Sequence, residues 1–149
     1  MKLKETLYNE CEKFVKQRLQ TVQISISNNQ KALQSETKSS AGDKHETGRA
    51  MLQLEMEKAS QQLLGIQQMN ETLAKIKIAK KSNVAHLGSI IFTDKINYFL
   101  AVSCGKITVE NQDFYAVSVS SPIGKLLLGK QKEETISLNG KLIKIDAIL

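Results

Sequence analysis

The chain has 149 residues, of which 41% are hydrophobic, 24% charged and 5% aromatic, and its formal net charge is +6. These values are typical of a folded protein of one ordinary domain or two small ones, and they exclude a large aromatic core. Acidic and basic residues are interspersed, with no dense basic run and no basic stripe containing aromatic residues. We therefore expect no independent sequence-specific binding to DNA.

The first residues, MKLKETLYNECEKF, carry a charge every few positions and contain no apolar signal segment. No stretch approaches the roughly 18 apolar residues of a membrane span. We therefore expect a cytoplasmic protein with no membrane partner. Two cysteines, Cys11 and Cys104, are too few for a zinc-binding CxxC framework or a disulfide framework, and both thiols are expected to be reduced.

Residues 2–34 are predicted to form one helix, because apolar residues recur every three or four positions from Leu3 onward. The stripe thins at Asn28 and Asn29, which would form a polar layer in a coiled-coil seam. The segment 35–42 contains Ser, Thr and Gly but no large apolar residue, and this composition predicts a turn.

A second periodic stretch predicts a helix over about residues 45–79. Two helices of similar length joined by a short turn can bury their stripes against each other, which predicts an antiparallel helical hairpin over residues 1–80. A parallel coiled-coil dimer is the alternative, and the central break disfavours it. The segment 80–83, KKSN, is a predicted hinge.

Short apolar runs bounded by Gly, Asn and Asp follow the hinge and predict a small β-rich domain over residues 84–149. The predicted strands are 86–93, 98–102, 106–109, 115–119, 135–138 and 142–149. The Asn139-Gly140 pair between the last two is the strongest hairpin signal in the chain. The predicted fold class is α+β, a helical hairpin followed by a small antiparallel sheet with one short helix.

The short helix is predicted from the segment 120–130, SSPIGKLLLGK. Ser121 and Pro122 suit the start of a helix, and Gly129 suits its end. One or more of the three leucines, 126 to 128, would pack on the sheet.

Two motifs carry a resemblance to a known family. The first motif lies in the β-rich domain and consists of HLGSIIF, then YAVSVSSPIGKLLLGK, then a closing strand pair that ends in KLIKIDAIL. The second is the predicted hairpin tip, which has the sequence GDKHET at residues 42–47. Both resemble the Gre family of bacterial RNA polymerase secondary-channel factors. The resemblance covers nearly the whole chain and implies an FKBP-like C-terminal domain. The chain departs from the family at Thr47, Gly48 and Arg49, where the family continues with Asn and an acidic or aromatic pair. It also has Glu133-Glu134-Thr135 where a Gly-Asp is common.

The resemblance implies a transcription elongation factor that binds RNA polymerase and inserts its tip in the secondary channel. There it would stimulate the polymerase's own cleavage of backtracked RNA, so the chain itself would not be an enzyme. Asp43 and Glu46 would be the catalytic carboxylates and metal ligands, sharing a Mg²⁺ of the polymerase active site near the RNA 3′ end. The chain alone would hold no cofactor.

Lys44 and Arg49 flank the tip and could contact RNA phosphate or the channel wall, whereas His45 is expected to be exposed. The contact with polymerase is expected at the short helix, with candidate binding residues Ser121, Pro122 and Gly124. His86 is expected to be structural. Nucleophilic catalysis by Cys104 is not expected, because the predicted architecture keeps Cys11 and His45 away from it.

Three alternatives remain open. Asp43 and Glu46 have the spacing of a capping box at a helix start, which would give them a purely structural role. The protein could also be a channel-binding regulator or inhibitor of polymerase without cleavage activity, or a coiled-coil adaptor for another partner. The changed residues after Glu46 favour the regulator, and the SPIGKLLLGK segment disfavours the adaptor.

Overall fold

The structure is a computed structural model that describes the backbone of residues 2–38 and 42–149 and the side chains of residues 2–35 and 47–149. Two long helices come first, and a sheet with one short helix follows. The elements are α1 (Lys2–Lys38), α2 (Gly42–Ala74), β1 (Ile90–Thr93), β2 (Asn97–Ala101), β3 (Gly105–Val109), β4 (Gln112–Ser118), α3 (Pro122–Leu127), β5 (Thr135–Leu138) and β6 (Lys141–Ile148). The α+β class is therefore confirmed.

The helices α1 and α2 pack together as an antiparallel pair. Near the start of α1, the hydroxyl of Tyr8 donates a hydrogen bond of 3.1 Å to the backbone oxygen of Leu73, close to the end of α2. Towards the other end of the pair, Leu33 of α1 and Met56 of α2 line the same groove. The start of one helix therefore lies beside the end of the other, as the hairpin prediction requires.

The seam between the helices has seven-residue spacing. Its buried positions include Val15, Val22 and Asn29 in α1, and Ala59 and Ile66 in α2. This is the repeat that keeps an apolar stripe facing a partner helix. Asn29 is only 8% exposed, so a polar residue does lie in the seam at the predicted position.

By their internal contacts the residues form two compact units, one of residues 15–69 and one of residues 1–14 with 70–149. The first turns of α1 and the last residues of α2 thus group with the sheet. One bond within this unit runs from the Lys4 ammonium to the backbone oxygen of Lys80, at 3.2 Å. The predicted domains, 1–80 and 84–149, are divided at the predicted hinge between the helices and the strands, and this division stays a prediction.

The helix α2 ends at Ala74, about five residues before its predicted end. Beyond it, Lys75 N–H and Ile76 N–H make tight turn bonds, each of 3.1 Å, to residues three positions back. Ile76 packs against Gly88, where an added Cβ would lie 2.9 Å from the Ile76 Cγ2. This contact is distant in sequence, so the helical periodicity gave no sign of it.

The six strands form one sheet in the order β3-β4-β2-β1-β6-β5. Strands β2 and β4 pair in parallel, from Asn97 opposite Phe114 to Ala101 opposite Ser118. The other neighbouring strands pair antiparallel. The prediction of an antiparallel sheet is therefore wrong for this pair, and the sheet is mixed.

The burial of β3 and β4 explains the parallel pair. β4 buries Phe114 and Ala116, whereas β3 has no buried residue. The more apolar strand therefore lies inside the sheet, beside β2, and β3 takes the edge. Because β3 and β4 form an antiparallel hairpin beyond β2, the chain reverses twice and β4 runs in the same direction as β2.

Two hairpins close with two-residue turns whose residues all have positive φ. The predicted turn at Asn139 and Gly140 is confirmed, with φ of 51° and 80°. A second turn joins β3 to β4 at Glu110 and Asn111, with φ of 50° and 65°. Both have the backbone that type I′ hairpins require.

The predicted strand 86–93 begins only at Ile90. The four residues before it form a turn, in which Ser89 N–H donates to the backbone oxygen of His86 at 2.9 Å and Gly88 has a φ of 96°. The other predicted strands match the observed ones within three residues at each end.

Each face of the sheet buries apolar residues. Leu127 of α3 packs on one face, in a core cluster with Ala85, Ile91, Tyr98, Leu100, Ile136, Ile143 and Ile145. Ile90 and Phe99 are paired in register and fully buried on the opposite face. Ile90 there lines a cavity of about 300 Å³ with Leu3 and Lys4 of α1. The start of α1 therefore covers this second face.

Candidate functional site

The backbone of the predicted tip, residues 42–47, forms the first turns of α2, which begins about three residues before its predicted start. The side chains of Asp43, Lys44, His45 and Glu46 lie outside the described residues. Their predicted catalytic, metal-binding and RNA-contacting roles therefore stay predictions.

The described part of α2 next to the tip is open to solvent. Arg49 is exposed and is available to a partner. Met51 and Leu54 follow it and are 61% and 65% exposed. Leu52, which lies next to Met51 in the sequence, is half-buried. Two apolar side chains near the tip are thus free to pack on another molecule.

The SPIG motif forms the corner at which α3 leaves β4. Ser121 is the N-cap of α3, as predicted, and its hydroxyl accepts a hydrogen bond of 3.1 Å from Gly124 N–H. The same hydroxyl donates a bond of 2.6 Å to the backbone oxygen of Ser118. Pro122 occupies the first turn of the helix, where its missing N–H costs nothing. The Ser121 hydroxyl is thus engaged inside the protein.

Gly124 is required by close packing at this corner. A Cβ built on it would overlap the backbone oxygen of Ser118 and lie 2.9 Å from the Cα of Val119. Only glycine lets the first turn of α3 approach the end of β4 this closely. Gly124 is buried, so it shapes the corner and offers no side chain to a partner.

The exposed side chains of the corner are those of Pro122, Lys125 and Leu128. Leu128 is 46% exposed, whereas Leu127 is fully buried in the core. Gly129, with a φ of 84°, ends the helical segment as predicted. Lys125 and Leu128 belong to the short helical segment where the contact is predicted, although they were not named as candidate binding residues. Only their exposure in the fold distinguishes them from the buried Leu127 between them.

His86 lies in the turn before β1 and is held by neighbouring residues. Its Nδ1 lies 2.9 Å from the Ser89 hydroxyl and 3.1 Å from the backbone oxygen of Val84. Its backbone N–H donates to the Ser89 hydroxyl at 2.9 Å. These local bonds give His86 a role in shaping the turn.

The structure brings Cys11 and Cys104 together, which corrects the prediction that they cannot meet. The two Sγ atoms are 3.1 Å apart. Cys11 is fully buried on α1, and Cys104 is partly exposed in the loop before β3. The prediction treated the hairpin as separate from the sheet, whereas residues 1–14 pack in the same unit as the sheet.

Among the described residues, no group of three or more His, Cys, Asp or Glu side chains is arranged to hold a metal ion. Within the same part of the chain, no helix has the length and apolar character needed to cross a membrane.

Comparison with known proteins does not assign the chain to a family. No family model matches the chain, and no curated protein matches it significantly.

Proposed function

We propose that this protein is a Gre-like factor that binds bacterial RNA polymerase and reaches the RNA 3′ end through the secondary channel, where it stimulates cleavage of backtracked RNA. The observation that carries the proposal is the pair of long packed helices, together with a sequence that has two acidic residues, Asp43 and Glu46, in the first turns of the second helix. The resemblance of the GDKHET and SPIGKLLLGK segments to the Gre family directs it to this partner.

The helix pair suits a narrow channel. α1 has 37 residues and α2 has 33. At 1.5 Å per residue, helices of this length span about 50 Å. An antiparallel pair carries the few residues at its junction on a support only two helices wide. Such a support can present these residues inside a channel that excludes a globular domain.

The chemistry of the junction fits a shared magnesium site. Asp43 and Glu46 offer carboxylate oxygens, the donors that Mg²⁺ prefers, and Mg²⁺ commonly takes only one or two carboxylates from a protein. When bound between these residues and the carboxylates of polymerase, the ion would supply charge stabilisation and an activated water for hydrolysis. Arg49, exposed next to the junction, would pair with RNA phosphate.

The sheet and α3 would be the FKBP-like docking domain of this factor. The corner at α3 supports a docking role because it is fixed internally by Ser121 and Gly124. It exposes a proline, a lysine and a leucine on that rigid base. Rigid presentation lowers the ordering cost of binding.

Lys125→Glu in the full chain should weaken binding to polymerase by roughly tenfold, because it reverses an exposed charge at the proposed contact. The measurement is a competition titration against labelled unmodified protein on bacterial RNA polymerase. Lys141→Glu is the matched control, since it makes the same charge change at an exposed residue of β6. Equal weakening by both variants would indicate a general charge effect and would remove α3 from the contact.

A channel-binding regulator without cleavage activity is the second candidate. The specific observation in its favour is the Thr47-Gly48-Arg49 sequence after Glu46, where the family carries a different pattern. An arginine in that place changes the charge next to the carboxylates. The regulator would occupy the channel and obstruct it.

The experiment that tests the function uses a stalled, backtracked polymerase complex with labelled RNA. The full chain should shorten the RNA from its 3′ end at a rate far above that of polymerase alone. Binding to polymerase without shortening of the RNA would favour the channel-binding regulator instead. A failure to bind polymerase would reject both and favour an adaptor for another partner.

A further inference from the structure

We propose that Cys11 and Cys104 form a reversible oxidation site, which reacts with low-molecular-weight disulfides such as glutathione disulfide to give an intrachain Cys11–Cys104 bond. This inference is independent of the proposed function. It starts from the placement of the two cysteines of the chain, 93 residues apart in sequence, with their sulfurs 3.1 Å from each other.

The geometry permits the bond with little rearrangement. A disulfide bond is roughly 2.05 Å long, so the sulfurs need to approach by about 1 Å. The loop that carries Cys104 is held in place by two hydrogen bonds. Cys104 N–H donates to the backbone oxygen of Val102 at 3.0 Å, and the Ser103 hydroxyl accepts a bond of 3.1 Å from Ser118 N–H.

The solvent exposure of the two cysteines indicates that Cys104 reacts first. It is partly exposed, and its neighbours Ser103 and Gly105 are both exposed. Cys11 is fully buried on α1 between Leu7 and Val15, which are themselves at most 1% exposed. A reagent in solution therefore has more access to Cys104 than to Cys11.

The pKa values of the two thiols support the same order of reaction, in which Cys104 reacts first. When Cys104 loses its proton, the Cys11 thiol can donate a hydrogen bond to the Cys104 thiolate. That bond lowers the pKa of Cys104, although burial opposes the effect. The same bond, together with burial, raises the pKa of Cys11. Because the thiolate is the nucleophile, Cys104 is the residue prepared to attack.

The reaction then balances in two exchanges. The Cys104 thiolate attacks one sulfur of glutathione disulfide, forms a mixed disulfide and releases one glutathione thiolate. The Cys11 sulfur attacks the Cys104 sulfur of that mixed disulfide, and the departing second glutathione takes up the Cys11 proton. The cysteine pair is oxidised by two electrons and the glutathione disulfide is reduced to two glutathiones.

The bond would tie the first turns of α1 to the start of β3. Closing a loop of this length lowers the conformational entropy of the unfolded chain and so destabilises the unfolded state relative to the folded one. The Tm of the unit that contains both cysteines should rise by about 10 °C on oxidation. Reduction by dithiothreitol should return it to the starting value.

The test incubates the full, folded chain with glutathione disulfide, unfolds it in an alkylating reagent and maps its peptides without reduction. We expect one linked peptide pair, containing Cys11 and Cys104, and no alkylated cysteine. Two alkylated cysteines after prolonged incubation would overturn the proposal. A stable glutathione adduct on Cys104 or a link between two chains, as the main product, would do so as well.

Two variants separate the roles of the cysteines. Cys11→Ala should stop at a glutathione adduct on Cys104, because no second thiol displaces the glutathione. Cys104→Ser should give no product while folded, because the remaining thiol is buried. Rapid modification of Cys11 in a Cys104→Ser chain that has kept its Tm would overturn the assigned order. The linked peptide in the unmodified chain remains the deciding result if either variant fails to fold.

Discussion

Replacing Asp43 with Asn should abolish cleavage of backtracked RNA while leaving both the Tm and polymerase binding nearly unchanged. The substitution separates the two roles available to this residue. Asn caps a helix about as well as Asp, so a capping role would survive. The negative charge that would hold Mg²⁺ is lost. The measurements are RNA shortening in a stalled complex, thermal unfolding and a competition titration on the same preparation.

Two further variants calibrate this result. Asp43→Ala removes both cap and charge, and it should cost roughly 0.5–2 kcal/mol of stability if Asp43 caps α2. Glu57→Gln removes a carboxylate from an exposed position further along α2 and should leave cleavage intact. Full cleavage by Asp43→Asn would reject the metal role, and a loss shared by Glu57→Gln would point to the overall charge of the helix pair.

Local patterns were sufficient for much of the fold. The three- and four-residue spacing of apolar residues predicted both long helices, and the Asn139-Gly140 pair predicted a hairpin that the structure confirms. Ser121 and Pro122 predicted the start of α3, because these residue types favour the first positions of a helix. In each case the signal lies within one turn or one short run of residues, where backbone preferences act directly.

The parts that escaped prediction depend on contacts between distant residues. The parallel pairing of β2 with β4 follows from which strand buries Phe114 and Ala116. The early end of α2 coincides with the packing of Ile76 against Gly88. Both contacts join residues in different elements of the fold, so the periodicity within one helix or strand does not indicate them.

The candidate site likewise combines features that a short motif predicts with features that depend on contacts in the fold. The carboxylates of the tip were proposed from a short motif, and their roles stay predictions. The meeting of Cys11 with Cys104 arises from packing between α1 and the loop before β3. The separation of exposed Leu128 from buried Leu127 likewise depends on how α3 lies on the sheet. Spacing in the sequence specifies neither.

Gly124→Ala should destabilise the unit that contains the sheet by roughly 3–5 kcal/mol. The new Cβ would overlap the backbone oxygen of Ser118. That oxygen accepts bonds from both the N–H and the hydroxyl of Ser121, at 3.1 Å and 2.6 Å. Moving it away therefore strains the backbone and weakens both bonds. Urea unfolding followed by circular dichroism measures the loss.

Gly65→Ala is the matched control, because it adds the same methyl group where nothing lies within 4 Å. Gly65 is inside α2, so alanine should stabilise that helix by up to about 1 kcal/mol. A Gly124→Ala protein of unchanged stability would mean that the corner can open at little cost. The SPIG motif would then need another explanation, and contact of Ser121 and Gly124 with polymerase would become the stronger one. A large loss confined to Gly124→Ala assigns the motif to building the corner and leaves Pro122, Lys125 and Leu128 as its docking side chains.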